Sequence, residues 1–232
     1  MAEIAKIQDY QLPGEPAIDL ERVAKSALAQ NPLCVSMGAH DRNQEIVEPD
    51  ENGVGYVLMN HSGRLDLGPD EDGLVATGGL AGCTGVAGFA KRADGGTHQF
   101  VSHYDPISQE WAMTHNDSPI NQHLYGQKYR ASQSELAGPV QYVVSYGDTA
   151  IHSPDYGKRV GNFDQWHYLD QIETTISQLG PEAEIAVVPY GTGGNVLAAG
   201  RIDGAEGIFW NGVPIDFDQI REQQQKQEGN ND

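Results

Sequence analysis

The feature that most constrains this chain is a four-residue turn, Ala93-Asp-Gly-Gly96, between two short runs rich in apolar residues. Asp-Gly and Gly-Gly pairs favour the positive backbone angles of tight hairpin turns. We therefore predict an antiparallel hairpin with strands Thr84–Arg92 and Thr97–Tyr104. Glycine is abundant, with 28 among 232 residues, and helical periodicity is confined to a few segments. The chain is thus expected to consist mainly of short strands and turns.

Two segments have helical periodicity, Ala17–Gln30 and Asp164–Leu179. The predicted fold class is mixed α/β, of the α+β kind, with a strand-rich, sandwich-like core and flanking helices. We expect an extended leader over residues 1–16, a single domain over residues 17–218 and a polar, flexible tail over residues 219–232.

The remaining elements are short, and turn residues separate them. Leu65–Gly73 contains Pro69 and is predicted to be a loop. The glycine-rich stretch Gly191–Asn195 lacks the lysine of a phosphate-binding loop and is also predicted to be a loop. Further strands are predicted at Leu33–Met37, Tyr56–Met59, Pro139–Tyr146, Glu184–Val188, Val196–Ala199, Gly207–Trp210 and Val213–Phe217.

The formal net charge of −19 argues against nucleic-acid binding through a basic face and against docking on an anionic membrane. The sequence contains no apolar run long enough to span a membrane and no classical signal peptide at its beginning. We therefore expect a soluble protein. With two cysteines and no zinc-ligand spacing, neither a disulfide framework nor a metal site is predicted.

Cys83 directly follows the small residues of Leu80-Ala81-Gly82 and begins the first hairpin strand. Cysteine hydrolysis requires a thiolate, a base that generates it and donors for the oxyanion that develops. A glycine-rich turn brings backbone N–H groups close to the sulfur and leaves room for a substrate carbonyl. Cys83 is therefore the candidate nucleophile, with Leu80, Ala81 and Gly82 as oxyanion and loop support.

Hairpin geometry selects a base among the eight histidines. A turn centred just after Asp94 places Cys83 opposite about Pro106, three positions from His103. His98 would then lie roughly 26 Å from Cys83 along the strand. We therefore predict His103 as the base and keep His98 as the rival.

Asp105 lies two residues after His103 and so shares its face of the strand. Its carboxylate is a candidate to orient the imidazole, but Asp105-Pro106 also begins turns readily, which is the role we favour. Because a bulge would shift the alternation, the pattern alone leaves open whether His103 faces Cys83.

The segment Thr77-Gly-Gly-Leu80-Ala-Gly-Cys83 resembles the Thr-x-x-Leu-Ser-Gly-Cys segment of the glutamine deamidase toxins typified by Burkholderia lethal factor 1. The Asp-Gly-Gly turn and the later His103-Tyr-Asp105 are similar in order to that family. More distantly, the hairpin and histidine look like the catalytic core of the cytotoxic necrotizing factors, in which His98 has the matching spacing, and of the chemotaxis deamidase CheD. The resemblance covers residues 77–105, has Ala81 in place of serine, and has a longer Cys-to-His interval.

The resemblance implies the deamidase fold of these families, with Cys83 as nucleophile, His103 as base and Thr77 supporting the histidine or the loop. It implies a cofactor-free enzyme, expected to be a monomer, that converts a specific glutamine of a target protein to glutamate. Host translation and signalling factors are candidate targets. The setting would be the bacterial cytoplasm or a target cell reached through a specialised secretion system.

Two alternatives remain open from the residues. The first is another Cys–His amidohydrolase or peptidase, because the core chemistry would be the same. The second is a non-catalytic, β-rich protein-binding domain in which Cys83 is a buried structural residue.

Overall fold

The structure, a computed structural model, describes residues 4–6, 15–30, 45–104, 135–147, 175–177, 179, 183–191 and 194–228. The described strands form two sheets, one of seven strands and one of five. In chain order the elements are β1 (Ile4–Lys6), α1 (Leu20–Gln30), β2 (Glu45–Ile46), β3 (Val54–Tyr56), β4 (His61–Leu67), β5 (Gly73–Leu80), β6 (Thr84–Lys91), β7 (Thr97–Tyr104), β8 (Gln141–Gly147), β9 (Glu184–Tyr190), β10 (Asn195–Ile202), β11 (Ala205–Trp210), β12 (Val213–Pro214) and α2 (Phe217–Glu228).

The two sheets pack face to face around an apolar core. The seven-stranded sheet has the order β1-β9-β8-β6-β7-β4-β2, and the five-stranded sheet has the order β12-β11-β10-β5-β3. Side chains from both sheets fill the space between them, among them Val101, Val143, Val75 and Leu197. This arrangement confirms the predicted mixed α/β, strand-rich fold with a sandwich-like core.

Helical residues cover the outer faces of the sandwich. Val23 of α1 packs with Leu74 and Phe209 on the outside of the five-stranded sheet. Ile176, in the helical residues 175–177, packs with Phe100 on the outside of the seven-stranded sheet. The alternation along a strand therefore separates side chains that face the inter-sheet core from side chains that face a helical layer.

The predicted hairpin is confirmed, but its register differs by one residue. Strand β7 has the predicted bounds, and β6 ends one residue earlier than predicted. The pairs Thr84–Tyr104 and Lys91–Thr97 centre the turn on Asp94 rather than after it. In this register His103 pairs with Gly85, two residues after Cys83. His98 pairs with Ala90 instead of Lys91.

The predicted loop over Leu65–Gly73 is wrong in its first part, because Leu65 and Leu67 belong to β4. These two leucines enter the inter-sheet core, whereas Arg64 and Asp66, which alternate with them along β4, occupy the other face. The polar residues and Gly63 hid the period-two alternation of β4 in the sequence. Pairing with β7 stabilises this strand.

The first helix begins three residues later than predicted, because Asp19 caps it. The Glu21 N–H donates to the Asp19 carboxylate at 2.8 Å, and the backbone N–H of Ala17 donates to Gly212 O at 2.9 Å. The predicted strand Val213–Phe217 is shortened at its end for a similar reason: Asp216 accepts the Gln219 N–H at 3.0 Å and caps α2.

The predicted leader contains a strand, and the predicted boundary at residue 218 falls inside a helix. Ile4–Lys6, in the predicted leader, pairs with β9 as an edge strand of the larger sheet. Helix α2 runs across the boundary at residue 218, and Phe217 and Ile220 are buried in the inter-sheet core. The start of the predicted tail is therefore part of the domain.

Other predictions lie outside the described residues. These are the strand Leu33–Met37, most of the helix Asp164–Leu179 and the residue Asp105. Within the part of the chain that the structure describes, no helix combines the length and apolar character needed to cross a membrane.

Candidate active site

Cys83 lies immediately before β6, at one end of the sandwich, where β5 of the smaller sheet connects to the larger sheet. Cys83 is half-buried and packs against the inter-sheet core. The Cys83 Sγ lies 3.9 Å from the Sδ of Met59. The thiol is thus held in apolar surroundings while a part of the residue stays accessible.

His103 lies on the same face of the sheet as Cys83. It pairs directly with Gly85 of β6, two residues after Cys83, and shares the inward-facing alternation of Val101. A diagonal pair of this kind has backbones about 7 to 8 Å apart, within reach of an imidazole. Because Gly85 has no side chain, nothing of its own projects into the space beside His103. This register places His103 on the face that carries Cys83, a point that the strand alternation alone left open.

Thr77 connects the two sheets through His103. Its Oγ1 lies 2.8 Å from His103 Nδ1 and donates to the Val57 carbonyl at 2.8 Å. A threonine hydroxyl has one hydrogen, and the Val57 carbonyl can only accept. Thr77 must therefore accept from an Nδ1–H, which assigns neutral His103 to the Nδ1–H tautomer. His103 Nε2 is then the basic nitrogen.

Burial makes this arrangement rigid. Thr77 is fully buried, and His103 is 3% exposed. The backbone is fixed as well, because the Asn60 N–H donates to His103 O at 2.5 Å. His103 is therefore held by its strand partners, by Thr77 and by the turn that contains Asn60.

A tyrosine from β9 holds the turn at residues 80–83, which we call the nucleophile turn after the candidate nucleophile Cys83. Tyr190 Oη accepts the Gly82 N–H at 3.1 Å and donates to the Cys83 carbonyl. Its ring packs against Trp210, with the ring centroids 5.5 Å apart. One hydroxyl thus bridges the backbone on both sides of the peptide bond that joins Gly82 to Cys83. The Gly82 N–H, a predicted oxyanion donor, is used by Tyr190 in this structure.

The same turn requires glycine at two facing positions. Gly82 has a φ of 132°, a conformation that L side chains rarely adopt. A Cβ atom on Gly147 would lie 2.8 Å from Gly82 Cα. The close approach of these two backbones positions the turn against the end of β8. Asn195 adds a further bond, from its side-chain N–H to Leu80 O at 3.1 Å.

Tyr56 supports the strand between Thr77 and the nucleophile turn. Its Oη accepts the Gly78 N–H at 3.0 Å. Burial raises the pKa of Tyr56 above its ordinary value of 10.0, against the opposing effect of the hydrogen bond that the Gly78 N–H donates to its oxygen. The phenol is therefore neutral at physiological pH and contributes no charge next to Thr77.

Met59 and His61 also lie at the site. His61 pairs with His103 across β4 and β7, on the same face. The His61 Nδ1 lies 2.9 Å from Met59 O, and because that carbonyl only accepts, His61 donates this bond. Met59 is 39% exposed and reaches the sulfur of Cys83. This turn therefore places an apolar side chain next to the thiol.

His98, the rival base, belongs to the opposite face. It shares the alternation of Phe100, which packs on the outer side of the sheet, and its Nδ1 bonds the Asp66 carboxylate. Its partner on β6 is Ala90, seven residues from Cys83, or roughly 23 Å along a strand. Geometry therefore separates His98 from the thiol.

Among the predicted residues, Thr77 contacts His103, and the register of β6 and β7 puts His103 on the face of the sheet that carries Cys83. Leu80 and Gly82 are buried, and Ala81 between them is exposed. Sequence reasoning missed Met59, His61, Tyr190 and Asn195. The position of Tyr190 between a buried strand and a glycine-rich loop was a usable signal, whereas no local pattern marked Met59.

Neither comparison with known proteins identifies this chain: no protein-family model matches the sequence, and no curated protein matches it. Among the residues that the structure describes, no group of three or more His, Cys, Asp or Glu side chains is arranged to hold a metal ion.

Proposed function

We propose that this protein is a cysteine amidohydrolase that deamidates a glutamine side chain of a partner protein. The observation that carries the proposal is the bond between Thr77 and His103, which joins the two sheets and leaves Nε2 as the basic nitrogen on the face that carries Cys83. The two-sheet sandwich agrees with the deamidase fold that the resemblance over residues 77–105 implies. We include that finer fold assignment in the proposal.

In the first half of the reaction, His103 Nε2 takes the Cys83 proton, and the thiolate attacks the glutamine carboxamide carbon. A tetrahedral oxyanion forms, and its proposed donors are backbone N–H groups of residues 80–83 other than that of Gly82, which donates to Tyr190. His103 then returns the proton to the leaving nitrogen. The carbon–nitrogen bond breaks, ammonia departs and a thioester to Cys83 remains.

In the second half, water attacks the thioester while His103 Nε2 accepts one of its protons. The carbon–sulfur bond breaks, the proton passes to the sulfur, and glutamate is released. The overall reaction consumes one water and yields ammonia, with no change in oxidation state. The partner gains one negative charge at the modified residue, which is enough to alter an interaction.

The acidic character of the chain affects which protein surfaces it attracts. A net charge of −19 attracts a basic protein surface, is compatible with a neutral one and repels an acidic one. The proposed target is therefore a protein with a basic or neutral surface around the reactive glutamine.

The test is mass spectrometry of lysate proteins incubated with the wild type or with Cys83→Ser. Glutamines that gain about one dalton only with the wild type, from replacement of NH₂ by OH, support deamidation and identify the target. Peptide cleavage in place of the mass gain would instead identify a peptidase.

Thiol labelling tests the non-catalytic alternative. Near neutral pH, Cys83 is expected to react with iodoacetamide faster than Cys34, and more slowly in His103→Ala. Equal, slow labelling of both cysteines in the wild type would contradict a catalytic pair.

A further inference from the structure

Met59 combines two properties among the described residues: it is a large apolar side chain with appreciable exposure, and it contacts the candidate nucleophile. It is 39% exposed, and only Leu28 on α1 is a more exposed large apolar residue in the part of the chain that the structure describes. The Met59 Sδ lies 3.9 Å from the Cys83 Sγ. Leu28 has no such contact with the site, because it lies on the helix that covers the outer face of the smaller sheet.

The turn that carries Met59 is fixed from three directions. Asn60 adopts a φ of 67°, is buried, and donates its N–H to His103 O at 2.5 Å. The His61 side chain donates to Met59 O at 2.9 Å, and the His61 N–H donates to Leu58 O at 3.2 Å. The backbone that carries Met59 is therefore anchored, and its side chain lines the site from a defined position.

A reacting carbon must approach a nucleophilic sulfur to about 3 to 3.5 Å. A group that does so at Cys83 approaches a sulfur whose neighbour, at 3.9 Å, is the thioether of Met59. Methionine is apolar, polarizable and adaptable, and it packs well against methylene groups. The part of a glutamine that would lie beside the reacting carboxamide is its pair of methylene groups.

We propose that Met59 is a specificity-determining residue, whose side chain contacts the aliphatic part of the substrate glutamine beside Cys83. This inference rests on the proposed function and adds the chemistry that the site selects, which is an uncharged amide on an apolar chain. The described residues around the thiol agree with it, since residues 57–60, 78–83 and 190–191 include no Asp, Glu, Lys or Arg.

The test compares two alkylating reagents on the full-length protein. Iodoacetamide is a small amide, and N-benzyl iodoacetamide carries the same reactive group on an apolar chain. Each rate at Cys83 is divided by the rate of the same reagent with glutathione, which removes intrinsic reactivity. The wild type is expected to prefer the benzyl reagent by about threefold to tenfold, because that reagent buries apolar surface against Met59.

Three variants give matched controls. Met59→Gln has nearly the same size but a polar end, and it is expected to reduce the preference to about one. Met59→Leu keeps apolar bulk and is expected to retain the preference. Leu28→Ala removes the other exposed apolar side chain and should change nothing at Cys83. Thermal unfolding of each variant confirms that the fold is intact.

An unchanged preference in Met59→Gln would overturn the inference, as would an equal acceleration of both reagents, which would mean that Met59 merely covers the thiol. Once a target is known, Met59→Gln is expected to raise KM by about threefold to tenfold with little change in kcat. If the wild type deamidates no protein while the preference still depends on Met59, the proposed function fails and the apolar contact stands.

Discussion

At the end of the sandwich that carries Cys83, hydrogen bonds from Thr, Tyr and Asn side chains hold the site, whereas ion pairs hold the opposite end. Thr77 is hydrogen-bonded to His103, and Tyr190 is hydrogen-bonded to the nucleophile turn. At the opposite end, Arg201 donates to carbonyls of two connecting turns, at Pro69 and Gly95, and pairs with Glu206. Lys91 also pairs with Glu206.

The two ends should therefore respond differently to salt and pH. Hydrogen bonds between uncharged groups keep their strength as salt and pH change, whereas ion pairs near the surface weaken as salt rises or as their carboxylates become protonated. The two histidines of β7 follow the same division. His103 bonds a hydroxyl on the inner face, and His98 bonds a carboxylate on the outer face.

The largest difference is expected between alanine substitutions of the two histidines of β7. His103→Ala should lower the rate of the proposed deamidation by about 10²- to 10⁴-fold, because it removes the proposed general base. His98→Ala should leave the rate of the folded protein near the wild-type value and lower its thermal stability instead. Activity that depends on His98 and not on His103 would reverse our assignment of the base.

Thr77→Val sharpens the comparison by removing one hydroxyl with little change in volume. We expect a decrease in rate of about 10- to 100-fold, the size seen when partners that orient a functional histidine are removed. Nitrogen NMR of His103 should show Nδ1 protonated in the neutral wild type, and a mixture of tautomers in Thr77→Val. Thr77→Ser keeps the hydroxyl and should restore both properties; failure to do so would argue against this role.

Tyr190→Phe keeps the ring against Trp210 and removes the hydroxyl that bridges Gly82 and Cys83. The expected result is a decrease in kcat of about tenfold with KM unchanged, because the nucleophile is less well positioned. Hydrogen exchange at the Gly82 amide should become faster. The matched control is Tyr104→Phe, since the Tyr104 hydroxyl bonds Ser62 on the outer face; an equal loss of kcat in that variant would contradict a positioning role.

The smallest effect is expected at the ionic end. A hydrogen bond from Lys91 lowers the pKa of Glu206 from its ordinary value of 4.5, and Arg201 adds to this effect against the opposing influence of burial. A lowered pKa in the folded state means that the charged form contributes stability above pH 4.5, and that this contribution is lost as pH falls through the folded-state value.

Glu206→Gln should therefore lower the free energy of unfolding by less than about 1 kcal/mol at pH 7, with no difference from the wild type at acidic pH. Denaturant titrations across this pH range check the prediction. The rate of Cys83 alkylation should be unchanged at pH 7, and a change there would show that the two ends are coupled.

Local chemistry allowed the hairpin to be predicted, but not its register. The turn is set by Asp94, whose carboxylate accepts the Gly96 N–H at 3.0 Å, while the Arg92 N–H donates to Gly96 O at 2.8 Å. These bonds centre the turn on a residue rather than between two residues. The shift of one position places His103 and Cys83 on the same face, which the sequence pattern alone could not decide.

What the sequence by itself determined is therefore local: the strand-rich class, the hairpin strands, and Cys83 after a glycine-rich turn with His103 on the neighbouring strand. These follow from turn residues and period-two patterns, which act over a few positions. Only the tertiary structure decided that Thr77 crosses from the other sheet to fix the His103 tautomer, and that Tyr190 and Met59 meet Cys83. Such contacts arise from the packing of two sheets, and distant residues meet there without any mark in their local sequence.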